Sequence, residues 1–220
     1  MGDSYHSLYM HGQSIKRDRH EHHRGFDIDE YQYLCPDDDH RPLGSYLEDQ
    51  SWTYLGCPFD DDDSADQRDP HTDAIMIQAH GVCHDNEKPW ASGGPGVFSH
   101  HDNHRFNRAS LLPPNETHTS HCAQLYACRE AILLAKEIWS QDTRGKLCRD
   151  QKKSPLLRLH HVVIKTNSDH ASKSMCDYVW KWEGNGYTSA KSQSVVNGAL
   201  FREMQQDTAW LEARSAHVDF

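Results

Sequence analysis

The sequence predicts a mixed α/β fold for residues 74–220: a five-stranded mixed sheet flanked by helices, behind an acidic extension. Three observations carry this. Carboxylates crowd residues 1–73. Strand-like and helix-like hydrophobic periods begin at residue 74. The elements then run three strands, helix, strand, two or more helices, strand. Sequential strands favour an antiparallel meander, and helical crossovers make the later strands parallel. Together these give a sheet with helices on it.

The elements follow from local patterns. "AIMIQAHGV" (74–82) alternates apolar and polar side chains and reads as a strand. "GGPGVFSH" places turn glycines before a short second strand. "RFNRASLL" is a third, which Pro113 and Pro114 forbid from continuing. Residues 118–139 are helical, with Leu125, Cys128, Ile132, Ala135 and Trp139 on one face. Residues 140–158 are polar and form a loop. "LHHVVIKT" is a strand with a β-branched apolar core that ends on polar Thr166, Asn167 and Ser168. "DHASKSMCDYVWKW" reads as a helix, "GNGY" as a turn and "SVVNGALFREMQQDTAWLEA" as a second helix. "SAHVDF" is the last strand.

The net charge of −10 is unevenly spread. Residues 1–73 hold 18 acidic and 6 basic side chains, whereas residues 74–220 hold 15 and 17. Runs such as "PDDDHRP" and "DDDDSADQRDP" repel themselves, so residues 1–73 are expected to be an acidic, His-rich, largely disordered extension. Its aromatic stretches "YQYL" and "SWTYL" can dock on the domain. "HEHHR" reads as a solvated tail, and Cys35, His40 and Cys57 match no zinc spacing. Seven cysteines in no repeat spacing read as reduced thiols of an intracellular protein, nuclear or cytoplasmic. No stretch has the length and apolarity to span a bilayer, and no membrane partner is expected.

Five short motifs, in order, resemble the type 1 ribonuclease H domain. They are "HGVCHDN" (80–86), "CAQLYACREAI" (122–132), "KTNS" (165–168), "YVWKWEGNGY" (178–187) and "VVNGALFRE" (195–203). The resemblance implies the fold just described. It also implies an activity, cleavage of the RNA strand of an RNA–DNA hybrid with two Mg²⁺ ions held by four carboxylates. Here three of the family's carboxylate positions are His80, Gln124 and Asn167. The fourth would lie on a final helix beyond Phe220, so the domain is expected to be truncated at its C-terminus. Gln and Asn keep the shape of Glu and Asp without the charge, and imidazole suits a transition metal better than Mg²⁺. No intact catalytic set, no metal site and no cofactor are therefore expected. Asp85 and Asp169 lie near these positions but read as a solvated loop residue and a helix cap.

The resemblance also carries over residues that touch nucleic acid: Asn86, His121, Tyr178, Trp182, Asn185 and Tyr187. Trp182, four residues from Tyr178 on one helix face, reads rather as core, and Asn185 as part of a turn. Lys173, Lys181 and Lys191 supply sparse positive charge. The first expectation is a catalytically inactive domain that weakly binds an RNA–DNA hybrid or double-stranded nucleic acid. The alternatives are a protein-interaction scaffold on the same fold, its partner unspecified, and an active Mg²⁺-dependent hybrid ribonuclease whose carboxylates lie elsewhere.

Overall fold

A computed structural model describes residues 24–26, 44–45, 52–56, 70–99, 106–142 and 159–220. Most of the acidic extension, with Cys35, His40, Cys57 and both aspartate runs, lies outside the described residues, as does most of the predicted loop 140–158. The strands are β1 (Gly44–Ser45), β2 (Thr53–Gly56), β3 (Pro70–His84), β4 (Ser92–Phe98), β5 (Arg108–Ala109), β6 (His161–Thr166) and β7 (His217–Asp219). The helices are α1 (Ser120–Asp142), α2 (Asp169–Lys173), α3 (Val179–Gly184) and α4 (Gly198–Glu212). A π-helical turn, Ser174–Tyr178, joins α2 to α3.

β3 is the axis of the sheet. One edge pairs in parallel with β6 from Ala74↔His161 to Ala79↔Thr166, and β6 pairs in parallel with β7. The other edge carries two strands end to end. β4 runs antiparallel along Gln78–His84, and β2 runs antiparallel along Pro70–Met76 with an irregularity between Tyr54 and Leu55. The two are stitched where Thr53 donates to the Ser99 carbonyl through its amide (3.0 Å) and its hydroxyl (2.6 Å). β5 continues antiparallel beyond β4, and β1 antiparallel beyond β2.

The five expected strands are present in a mixed sheet, and β1 and β2 extend it. The strand expected at 74–82 begins at Pro70 and reaches His84, so the boundary at residue 74 falls inside it. "SWTYL" is built into the sheet: Trp52, Tyr54 and Leu55 are buried, Trp52 with its ring centroid 4.5 Å from that of Phe106. Gly93 and Gly94, expected in a turn, lie inside β4. The reason is close approach: a Cβ on Gly94 would lie 2.0 Å from the Ser110 carbonyl oxygen.

Alternation along β3 divides the protein. Ile75, Ile77 and Ala79 face the large core with Val162 and Ile164 of β6. Leu125, Cys128, Ile132, Ala135 and Ile138 of α1 fill it, with Ala171, Met175, Val179, Phe201, Met204 and Leu211. The predicted α1 face is this buried stripe. Trp139 sits at its rim, edge-on to Trp210 at 5.3 Å. Ala74 and Met76 point the other way into a small cluster with Leu55 and Val163, packed by Phe26.

Candidate nucleic-acid interface at the strand tips

The tips of β3 and β6 lie side by side because the two strands are parallel and in register, so each delivers its last residues to one edge. That places His80 against Asn167. His80 Nδ1 is 3.0 Å from Asn167 Oδ1, and the imidazole donates to the amide oxygen. Both residues are exposed. Gly81 brings the third position close. A Cβ there would lie 2.1 Å from the Ala123 carbonyl carbon and the Gln124 amide nitrogen, so α1 touches the strand backbone where Gln124 sits. A side chain at 81 would push the helix away. Gln124 itself is half-buried.

The start of α1 is held by two side-chain caps. Thr119 Oγ1 accepts from the Cys122 amide at 3.1 Å, and Asn86 Oδ1 accepts from the Ser120 amide at 2.9 Å. Asn86 thus ties the loop after β3 to the helix. His121, in the first turn of α1, stacks on His170 of α2 with ring centroids 4.1 Å apart. His170 also packs edge-on to Phe201 at 5.7 Å. His170 keeps much of its surface exposed, yet partial burial of the imidazole, and then the neighbouring His121, hold it below its usual pKa. The residue motif reasoning missed here is His170, and the signal was its place in the first turn after Asn167, on the same tip.

The aromatics form a chain along α3. Tyr178 is exposed and its ring is 5.8 Å from Trp182. Trp182 is half-buried, 5.1 Å from Phe201 and 6.4 Å from Tyr187, so it joins core to surface. Tyr187 is buried, and burial raises its phenol pKa, with Glu183 adding to the shift. The Arg202 guanidinium lies 4.7 Å from its ring. Asn185 spends both ends of its amide in the turn: Nδ2 donates to the Thr188 carbonyl at 2.8 Å, and Oδ1 accepts from the Thr188 amide at 3.0 Å. Gly186 follows at φ +72°, where a side chain would be strained.

The π-helical turn was not visible as a period in the sequence. It adds a residue between α2 and α3 and leaves Met175 and Cys176 buried with Tyr178 exposed.

The donor set at the tips is one imidazole and two amides, with no carboxylate among them and two of them already bonded to each other. Mg²⁺ takes hard, anionic oxygens, so this set does not fit it. Among the described residues no three His, Cys, Asp or Glu side chains come together as a metal group. Asp85 sits at φ +52° in an exposed turn. Asp169 is exposed in the first turn of α2, where Ser168 rather than Asp169 is the cap, accepting from the Ala171 amide. Buried thiols offer no nucleophile: burial pushes Cys128 up to about 12 and Cys176 to about 11.

No protein-family model matches the chain. Ribonuclease H1 of Mus musculus is 21% identical over 146 residues, which are 66% of this chain and 44% of the mouse protein. Ribonuclease H of Pelobacter propionicus is 22% identical over 156 residues, 67% of this chain and 78% of that protein. The chain thus aligns with less than half the length of the mouse protein. Among solved structures, a foamy viral protease–reverse transcriptase in complex with an RNA/DNA hybrid is 18% identical at a TM-score of 0.46, covering 83% of this chain and 20% of that one. LC11-RNase H1 in complex with an RNA/DNA hybrid is 16% identical at 0.37, covering 66% and 81%. With the sequence similarity falling on a sheet of mixed strand order, this chain carries a ribonuclease H-like domain.

Proposed function

We propose that the domain binds nucleic acid through the face around the β3 and β6 tips and does not hydrolyse it. The observation that carries this reading is the hydrogen bond between His80 and Asn167, an imidazole and an amide where the resemblance expects metal-holding carboxylates. An imidazole and an amide that satisfy each other bring no negative charge to offset that of closely spaced divalent cations. An exposed polar edge with Asn86, His121 and Tyr178 around it can still contact sugar hydroxyls and bases, and hybrids and double-stranded RNA offer such contacts in a broad minor groove. The relatives named as ribonuclease H favour an RNA–DNA hybrid as ligand. With residues 74–220 near neutrality, binding is weak and salt-sensitive. The four described thiols are free, which suits a reducing, intracellular setting.

The test is full-length protein mixed with a labelled RNA–DNA hybrid in Mg²⁺, with complex and product length read from the same tube. A complex that weakens with salt around intact RNA is expected. The triple variant His80→Asp, Gln124→Glu, Asn167→Asp then asks whether restored charge brings cleavage. Shortened RNA from the unaltered protein overturns the reading.

A second reading has its own observation. Val82, Phe98 and Leu111 are exposed along an open trough on the β3–β5 face, which suits a protein-interaction surface. Absence of any complex with hybrid or duplex would favour it.

A further inference from the structure

Residues 24–26 (Arg-Gly-Phe) lie far from the domain in sequence, inside the acidic extension, yet they are seated in a shaped crevice at the β7 edge. Arg24 is 2% exposed. Its guanidinium forks onto Glu212 of α4, Nε to Oε1 and a terminal nitrogen to Oε2, both at 2.7 Å. The other terminal nitrogen donates to Gln205, which in turn donates to Glu183 at 3.1 Å. The Trp180 ring lies 4.2 Å from the guanidinium carbon. The backbone is held too: the Phe220 amide donates to the Arg24 carbonyl at 2.9 Å, and the Phe26 amide to the Phe220 carbonyl at 3.3 Å. Phe26 then packs over Leu55, Met76 and Val163, so the three residues wrap the sheet edge from one face to the other.

We propose that the crevice between Trp180, Gln205, Glu212 and the Phe220 backbone is a peptide-recognition site for an Arg-x-aromatic segment, filled in cis by residues 24–26. A bidentate carboxylate, a third acceptor and an aromatic face together read the planar guanidinium, and an ammonium cannot satisfy them. A sheet edge that takes a segment through backbone hydrogen bonds is a known recognition mode, with side-chain pockets supplying specificity. Glu183 and Glu212 beside the crevice match a cationic ligand, and the extension supplies one at Arg24 despite its acidic composition. Removing Arg24 leaves Glu212 without its buried partner, and a second Arg-x-aromatic segment can then enter.

The probe is a fluorescent peptide of residues 20–30 titrated by anisotropy into full-length protein and full-length Arg24→Ala. The variant is expected to bind at least tenfold more tightly than the unaltered chain, whose site is occupied. Peptides carrying Arg→Ala or Arg→Lys at that position are expected to bind the variant at least tenfold more weakly. Equal binding of the Lys peptide would mean charge attraction without a shaped site. Equal binding of the probe by both proteins, or by neither with circular dichroism unchanged, would overturn the assignment. Should Arg24→Ala not fold, hydrogen exchange on the unaltered chain and on Glu212→Gln decides. The Phe26 and Phe220 amides are expected to be protected at least tenfold in the first and to lose that protection in the second. Free exchange at both amides in the unaltered chain, or equal protection in the two proteins, would overturn it.

Discussion

The two faces of the sheet differ in what covers them. On one, every helix of the described domain contributes a buried side chain, and Ile75, Ile77, Val162 and Ile164 are fully enclosed. On the other, Ala74 and Met76 are covered by a small cluster and Phe26, and the strand then runs out under solvent through His80 to Val82, which is 60% exposed. The same fifteen-residue strand builds both, because consecutive side chains of β3 alternate between them. The closed face carries the fold. The open face and its tip are where a partner can reach the protein. This separation lets His80, Gln124 and Asn167 stand where the resemblance expects carboxylates while the core beneath stays intact.

The sharpest test of that division compares two glycines on neighbouring strands. At Gly81 a Cβ would meet the backbone of Ala123 and Gln124 at 2.1 to 2.3 Å, and backbone cannot rotate away as a side chain can. Gly81→Ala must lift α1 from the sheet, a loss of more than about 3 kcal/mol at the upper end of overpacking effects. At Gly96 the nearest atom is the His80 carbonyl oxygen at 3.4 Å, so Gly96→Ala should stay within about 0.5 kcal/mol. Urea midpoints of the two variants measure the difference. Equal midpoints would mean that α1 is not seated on Gly81.

A second comparison sets the buried stripe of α1 against the open face. Ile132 is fully buried, and Ile132→Ala removes its contacts and leaves a cavity, at a cost of about 3 kcal/mol. Val82→Ala, on the exposed face, should cost under about 0.5 kcal/mol. Thermal unfolding of both variants separates them. A large loss at Val82 would show that the open face is covered in solution.

Much of the closed face was legible in the sequence. The α1 stripe from Leu125 to Ala135 and the β-branched run of β6 follow from short-range patterns, whereas the meeting of His80 and Asn167 at one edge was implied only by the family resemblance. What was hidden has physical reasons. β2 is four residues long and lies between aspartate runs, so regional charge outweighs its apolar content, although Tyr54 and Leu55 are fully buried. Arg24 reads as one more charge in a polar tail, because its acceptors Gln205 and Glu212 are more than 180 residues away. Gly94 reads as a turn because close strand approach leaves no periodic mark. At the tip, the resemblance put Asn86 in the loop after the first strand but said nothing of its bond to the Ser120 amide, which depends on how loop and helix meet.

The smallest expected effect belongs to the tip, where the two faces meet. His121 and His170 stack at 4.1 Å, and His170 is held below its ordinary pKa first by burial and then by His121. The unfolded chain, with an imidazole pKa near about 6.5, therefore binds more protons than the folded one as pH falls through that value. The stability tied to a neutral His170 is present above about pH 6.5 and is lost as pH falls below it and His170 must take a charge in its partly buried place. Other histidines and carboxylates titrate in the same interval, so the informative quantity is a difference. The thermal midpoint should fall more between pH 7.5 and pH 5.5 for the unaltered protein than for His170→Gln, which keeps a polar side chain but cannot take the charge. Identical slopes would mean that the stacked pair does not couple protonation to the fold.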